Sequence, residues 1–139
     1  LSKITDYIYL SDHSIASNTE LLERTGITHS INCAVEHHDI QHNKNIKTLK
    51  LNLVDNPNQP IENIFDYVIE FIDNARKENG SDTKVLVFCH KGISRSASLV
   101  ILYIMHIYNC PLNKAYSFVQ NVRPIVSPNF GFYQSLKQY

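Results

Sequence analysis

Apolar and polar positions follow two different periods along this chain, one typical of strands and one typical of helices. Alternation at every second residue, or a short run of β-branched and aromatic residues, predicts four strands: 7–10, 27–33, 46–54 and 85–88. Spacings of three and four residues predict three amphipathic helices: 61–79, 96–108 and 112–122. Strands and helices therefore follow one another along the whole chain.

Two shorter helices are predicted from the residues that would start and stop them. The segment 17–26 opens with a Ser-x-x-Glu capping box, whose serine would be the N-cap, and closes on a glycine. The segment 127–136 opens with Ser127 as N-cap, followed by proline at the first helical position. Polar residues over 36–45 and turn residues over 55–60 predict surface loops.

The order of these elements predicts a single α/β domain spanning residues 1–139. We expect a central mixed, mostly parallel sheet of about four to five strands flanked by five or six helices. At 139 residues the chain is long enough to bury a proper core. Its first residue is not methionine, which leads us to expect a domain cut from a longer protein.

Composition and charge argue against several classes of partner. The apolar fraction is 43% and the charged fraction 19%, and 13 basic residues balance 13 acidic ones. A formal charge of zero favours neither nucleic acid nor an anionic membrane, so we expect neither as a partner. The longest apolar run, 99–105, is shorter than the roughly 20 residues that span a bilayer. Nothing in the pattern indicates the oligomeric state, and a monomer is assumed.

Cysteine usage indicates the cellular compartment. The three cysteines are irregularly spaced: Cys33, Cys89 and Cys110. Such a small, odd number without framework spacing favours free thiols in a reducing compartment, so we expect a cytoplasmic protein, with the nucleus also open.

The histidines near the first of these cysteines raise the question of a metal site. His37, His38 and His42 lie within ten residues of Cys33, but their spacing matches no closed zinc pattern. We interpret this stretch as a solvated histidine-rich loop that follows a core cysteine. No metal and no cofactor are therefore expected.

The segment 84–105 carries the strongest chemical signal. A strand stops at Cys89, a loop containing Gly92 follows, and a helical pattern starts directly after Arg95. Such a loop can point backbone N–H groups inward at the positive end of the helix, which suits a phosphate-sized dianion. The dipoles and Arg95 would favour the thiolate of Cys89, and the arginine fork matches two phosphate oxygens. The segment therefore predicts phosphoryl transfer through Cys89.

The loop itself is predicted to bind the phosphate. Its six candidate binding residues are His90, Lys91, Gly92, Ile93, Ser94 and Arg95. His90 and Lys91 would add positive charge at the rim of the pocket, and Ser94 would shape the loop. Either rim residue could instead be simply solvated.

A cysteine nucleophile of this kind needs a proton donor for the leaving oxygen. Asp55 is favoured because it ends a strand and opens a turn-rich loop before a long helix, although a turn or capping role is equally open. The alternative aspartates are Asp39, Asp66, Asp73 and Asp82. Ser96 could donate a hydrogen bond to the sulfur and help it leave, cap the helix, or do both.

The spacing Cys89-x5-Arg95-Ser96 is the signature of the cysteine-dependent protein tyrosine phosphatases, and the chain resembles their dual-specificity branch. Further stretches that look like that branch, in its order, are 4–10, 16–18, 26–32, 115–124 and 128–132. Asp55 sits where the branch keeps its general acid. Low-molecular-weight phosphatases fit less well, because they place the cysteine loop first and the acid near the end.

This resemblance implies a tyrosine phosphatase-like fold and a dual-specificity phosphatase catalytic domain over residues 1–139. It implies hydrolysis of phosphotyrosine, and of phosphoserine and phosphothreonine, in phosphorylated protein substrates through a phosphocysteine intermediate. Cys89 would attack phosphorus while Asp55 protonates the leaving side chain, and Asp55 would then act as base for the water that releases phosphate. Arg95 and the loop amides would hold the equatorial oxygens, without any metal.

One residue departs from the family pattern. The family usually carries histidine immediately before the nucleophile, where this chain has Phe88. Because phenylalanine cannot hydrogen-bond through its side chain, we expect a less stabilised thiolate and a slower enzyme. Two alternatives therefore stay open: a phospho-binding pseudophosphatase, and a phosphatase for a non-protein phosphate ester such as a phosphoinositide.

Overall fold

A computed structural model of the chain describes residues 1–37 and 45–139. Five strands occur in these ranges: β1 (Ser2–Lys3), β2 (Ile8–Asp12), β3 (His29–Ala34), β4 (Lys47–Leu53) and β5 (Val85–Cys89). Six α-helices accompany them: α1 (His13–Ala16), α2 (Thr19–Thr25), α3 (Phe65–Asn79), α4 (Arg95–Tyr108), α5 (Leu112–Val122) and α6 (Phe130–Lys137). Short 3₁₀ turns at Glu62–Ile64 and Gly80–Asp82 flank α3.

The strands form one sheet in the order β1-β2-β5-β3-β4. Every neighbouring pair is parallel except β1 and β2, which pair antiparallel. The predicted mixed, mostly parallel sheet flanked by helices is therefore confirmed. Strand β1 was missed because its two residues, Ser2 and Lys3, carry no apolar alternation. Strand β5 lies at the centre, so the residues that follow it emerge in the middle of one edge of the sheet.

The two faces of the sheet bury two different apolar clusters, and β5 divides its side chains between them. Val85, Val87 and Cys89 belong to the larger cluster, which includes residues of α3, α4, α5 and α6. Leu86 and Phe88 belong to the smaller cluster, which includes residues of α1 and α2. Since both faces are covered, all of β5 is buried, and so is all of β3. The alternation of side chains along β3 therefore distributes them between two buried faces of the sheet, and neither face is exposed.

Two predicted helix caps are wrong, and in both cases an asparagine replaces the predicted serine. Asn18, rather than Ser17, accepts a hydrogen bond from the N–H three residues ahead in α2, at 3.1 Å. Asn129, rather than Ser127, does the same in α6, at 2.9 Å. Because asparagine and serine are about equally good caps, sequence alone could not decide between them.

The cysteines are free thiols, and Cys33 is buried in the larger cluster, as predicted. His38, His42 and Asp39, which entered the sequence-based predictions, lie outside the described residues. Across the two described ranges, none of the helices combines the length and the apolar character needed to cross a bilayer.

Truncation of Phe88 tests the packing of the smaller cluster, in which its side chain is fully buried. Phe88→Ala should lower the free energy of unfolding by about 3–5 kcal/mol, because it removes a large apolar side chain and leaves a cavity. Tyr67→Ala, which truncates an aromatic residue 61% exposed on α3, should change it by no more than about 0.5 kcal/mol. Chemical denaturation measures both values. Equal losses from the two variants would contradict the packing described.

Candidate active site

The carboxyl end of β5 opens onto a pocket of about 280 Å³. The residues that line it are Asp55, Cys89, His90, Lys91, Ile93, Ser94 and Arg95. All but Asp55 come from the last residue of β5, the loop between β5 and α4, and the first residue of that helix. Two candidate site residues, Gly92 and Ser96, are not part of the lining. Both contact the sulfur of Cys89.

Hydrogen bonds from the C-terminal part of the chain hold the carbonyl groups of the cysteine loop. Arg123 donates from Nε to the Gly92 carbonyl at 2.9 Å and from Nη2 to the Lys91 carbonyl at 3.2 Å. The N–H of Ser127 donates to the Ile93 carbonyl at 2.7 Å. In a trans peptide the carbonyl and the N–H point in opposite directions, so carbonyls held from outside direct the N–H groups of the loop inward, towards Cys89 and an anion in the pocket.

Gly92 makes the sharp turn of this loop possible. Its φ is 66°, in the left-handed region that favours glycine. A Cβ there would also overlap the Ser11 carbonyl and the Arg123 guanidinium. The turn brings the Gly92 N–H to the sulfur of Cys89, at 3.3 Å. Conformation and close approach therefore both require glycine.

Cys89 lies at the base of the pocket with 2% of its surface exposed. Its sulfur is 3.0 Å from the hydroxyl oxygen of Ser96, which is fully buried in the first turn of α4. A hydroxyl and a backbone N–H directed at one sulfur can stabilise negative charge on it. The capping role considered for Ser96 is wrong, because Ser94 occupies the N-cap position of α4.

A carboxylate that sequence analysis missed holds Arg95. The Nη1 and Nη2 atoms of Arg95 donate to the two carboxylate oxygens of Glu36 at 2.6 and 2.8 Å. Nη1 also donates to the Leu53 carbonyl at 3.0 Å. The hydrogen bonds from Arg95 to Glu36 lower the pKa of Glu36 to about 2, and the same bonds raise the pKa of Arg95. The contacts use three of the five guanidinium donors, which leaves two for an anion as far as the described residues go.

Glu36 fell at the start of the stretch predicted to be a surface loop. Its side chain is exposed to solvent on one side and paired with a buried arginine on the other. The sequence did contain one signal for a functional role of Glu36, namely its position shortly after β3. Ligands of open α/β sheets bind beyond the carboxyl ends of the strands. Cys89 ends the neighbouring strand at the same edge.

Asp55 lies exposed at the mouth of the pocket, where α6 positions its loop. Its Oδ1 atom accepts a hydrogen bond from the Asn129 amide at 2.9 Å. The backbone N–H of Asn129 donates to the Ser94 hydroxyl at 2.9 Å, so one residue connects the Asp55 loop to the cysteine loop. Gly131 approaches the Pro57 carbonyl so closely that a Cβ would overlap it. The loop-shaping role expected of Ser94 fits these contacts.

Three of the alternative aspartates lie away from the pocket lining. Asp73 accepts a hydrogen bond from the Tyr103 hydroxyl at 2.8 Å and pairs with His106 at 3.5 Å. Asp66 is exposed on α3, and Asp82 is exposed in the turn after it. Asp55 is therefore the only described candidate that meets Cys89 in one pocket.

Three imidazole rings lie in a row beside the pocket. His90 and Lys91 are exposed at its rim, and the Nδ1 atom of His90 is 2.8 Å from the Nε2 atom of His37. The His37 ring stacks on His13 with their centroids 3.6 Å apart. Burial and the neighbouring His13 lower the pKa of His37.

Comparison with known proteins gives consistent results. A family model described as "Dual specificity phosphatase, catalytic domain" matches residues 8–139. The chain is 37% identical over 139 residues to dual specificity protein phosphatase 14 of Mus musculus, covering 100% of this chain and 68% of that protein. The crystal structure of human DUSP28 matches with a TM-score of 0.92 at 25% identity, covering 100% of this chain and 94% of that one. The crystal structure of a human tyrosine phosphatase-like serine/threonine/tyrosine-interacting protein matches with a TM-score of 0.89 at 35% identity, covering 99% and 93%.

The ion pair between Glu36 and Arg95 predicts a pH-dependent stability. The pKa of Glu36 is about 2 in the folded chain against 4.5 for a free glutamate, so the pair stabilises the fold fully above about pH 4.5. That contribution is lost as pH falls through about 2. Glu36→Gln should therefore lower the free energy of unfolding at pH 7, and its difference from wild type should shrink from about pH 5 towards pH 3.

Denaturation at successive pH values measures this difference. Glu70→Gln, which removes an exposed carboxylate from α3, is the matched control and should leave a smaller difference at pH 7. A Glu36→Gln difference that stays constant between about pH 7 and pH 3 would contradict the pairing described.

Proposed function

The chain belongs to the dual-specificity phosphatase family, and on that premise we propose that it hydrolyses phosphotyrosine, phosphoserine and phosphothreonine in protein substrates through Cys89. One observation carries the proposal. The buried thiol of Cys89, the guanidinium of Arg95 with two donors left for an anion among the described contacts, and the exposed carboxylate of Asp55 line a single pocket. In this proposal residues 1–139 form one catalytic domain. The free thiols support a reducing compartment such as the cytoplasm or nucleus.

In the first step the sulfur of Cys89 attacks phosphorus, and the ester oxygen leaves as the S–P bond forms. Asp55 gives its proton to that oxygen, so that the substrate side chain departs as a neutral hydroxyl. The remaining N–H groups of Arg95 and the loop amides take up the charge on the three equatorial oxygens. Because Glu36 and Leu53 hold the guanidinium from behind, it needs little reorganisation when substrate enters.

In the second step water attacks the phosphocysteine and the S–P bond breaks. Asp55, now deprotonated, accepts a proton from that water. Ser96, at 3.0 Å from the sulfur, donates a hydrogen bond to the departing thiolate, which makes it a better leaving group. The products are inorganic phosphate and the free enzyme. None of these steps requires a metal ion.

Phe88 supports a second candidate, a protein that binds phosphorylated partners without turning them over. It stands where the family usually carries histidine, and the chain is 35% identical to a protein described as phosphatase-like and as an interacting protein. The contacts of Cys89 with Ser96 and Gly92 favour turnover instead. Retention of a phosphotyrosine peptide by wild-type protein without phosphate release would favour the binding role.

A third candidate is a phosphatase for a non-protein phosphate ester. His90 and Lys91 at the rim support this candidate, since both are exposed beside the pocket and can carry positive charge. The net charge of zero gives no further support for a polyanionic substrate. A panel of phosphopeptides against inositol phospholipids separates this candidate from the first, which predicts preference for the peptides.

The role of Asp55 is tested by the pH dependence of turnover on an aryl phosphate with a poor leaving group. Asp55→Asn should lower kcat by on the order of 100-fold and remove the fall in rate on the basic side of the profile, because no proton is then available for the leaving oxygen. Asp66→Asn, which changes an exposed aspartate on α3, should leave the profile as in wild type. An unchanged basic limb in Asp55→Asn would show that another group is the acid.

A further inference from the structure

Nitrogen and oxygen ligands from two loops converge beside the phosphate pocket. One ligand atom from each of Glu36, His37 and His90 lies within 4.8 Å of the other two. We propose that these three side chains form a binding site for a divalent transition-metal ion, with Zn²⁺ as the ion it fits best. The site adjoins the phosphatase pocket, but its occupation requires no turnover.

The two imidazole nitrogens of the cluster lie close to the separation that zinc requires, and the carboxylate oxygen lies within 4.8 Å of both. Zn²⁺ binds histidine nitrogen and carboxylate oxygen at roughly 2.1 Å, so the ligand atoms around a tetrahedral ion lie roughly 3.4 Å apart. His37 Nε2 and His90 Nδ1 are now 2.8 Å apart, and the rings need to separate by only roughly half an ångström. The proton of their present hydrogen bond would move to the other nitrogen of its own ring, which leaves both facing nitrogens with lone pairs.

Hydrogen bonds hold the backbone carbonyls of both histidines in the cluster. The His37 carbonyl accepts hydrogen bonds from the Asn32 amide at 2.5 Å and from Lys50 Nζ at 3.1 Å. The His90 carbonyl accepts one from the His13 N–H at 3.2 Å, and the His13 ring stacks on His37. Little conformational freedom would therefore be lost when an ion binds, which favours affinity.

Glu36 can bind an ion without releasing Arg95. An ionised carboxylate offers about four lone-pair sites on its two oxygens, and the guanidinium uses only two of them. The Glu36 side chain is 44% exposed, so an ion can approach from the solvent side. Two histidines and one carboxylate leave the fourth position for water, as in open zinc sites.

The type of ligand selects the class of ion. Imidazole suits Zn²⁺ and similar transition metals, whereas Mg²⁺ prefers a complete octahedron of oxygen ligands. His37 belongs to the stretch that sequence spacing raised as a metal candidate, but Cys33 of that stretch lies in the core and His90 comes from a distant loop. The cluster forms only because the loops after β3 and β5 emerge at the same sheet edge.

Calorimetric titration of zinc chloride into Cys89→Ser protein tests the site. This background removes the pocket thiol, which could itself capture zinc, and the heat of binding does not depend on phosphatase activity. One ion per chain should bind, and adding His37→Ala should weaken binding by more than about tenfold. Adding His106→Ala instead, which removes an exposed histidine paired with Asp73, should leave the affinity unchanged. Magnesium chloride should give no binding.

A second measurement guards against misfolding of a variant. Cobalt chloride added to Cys89→Ser protein should give the visible absorption of four-coordinate Co²⁺, and His90→Ala should abolish it while circular dichroism stays unchanged. The proposal is overturned if zinc fails to bind at concentrations up to about 100 μM, if His37→Ala binds as tightly as its parent, or if magnesium binds equally well.

Discussion

A single guanidinium connects residues at the carboxyl ends of three neighbouring strands. Arg95, at the start of α4, donates to Glu36 beyond β3 and to the carbonyl of Leu53 at the end of β4. With 6% of its surface exposed, Arg95 is a buried charge that would be costly without a partner. Glu36 therefore allows the chain to keep a fixed positive charge beside Cys89. The order of the strands makes the contact possible, since β5, β3 and β4 are consecutive neighbours in the sheet.

The C-terminal segment supplies the complementary support. Arg123 and Ser127 hold carbonyl groups of the cysteine loop, and Asn129 joins that loop to Asp55. The proposed nucleophile and the proposed acid are thus positioned by one stretch of chain between α5 and the start of α6. These hydrogen bonds explain why residues that are far from Cys89 in sequence help to position the pocket.

Sequence reasoning was strongest where the chemistry is local in the chain. The spacing from Cys89 to Ser96 and the strand and helix beside it indicated the phosphate pocket, and the structure brings Asp55 to the same pocket. Glu36 was missed because its contact with Arg95 depends on strand order, which no local pattern encodes. The same limit applies to His37 and His90, which are 53 residues apart and meet through their ring nitrogens.

Phe88 shows a different limit. From sequence it was interpreted only as a lost hydrogen bond beneath the nucleophile. In the structure it is fully buried with Leu22 and Leu86 in the smaller cluster, on the sheet face opposite Cys89. Its side chain therefore stabilises the strand that carries the nucleophile by packing. Phe88 therefore removes a polar contact and adds apolar packing at the same position, and only the fold reveals the packing.

The role of Cys89 as nucleophile is tested most directly by trapping the phosphoenzyme. Ser96→Ala protein, in which release of the thiolate should be slowed, would be mixed with a phosphotyrosine peptide, quenched in acid within one turnover and analysed by peptide mass spectrometry. We predict one added phosphoryl group on the peptide that contains Cys89, and no phosphate release from Cys89→Ser protein. Phosphate release at the wild-type rate by Cys89→Ser, or a phosphoryl group on a different residue, would contradict this.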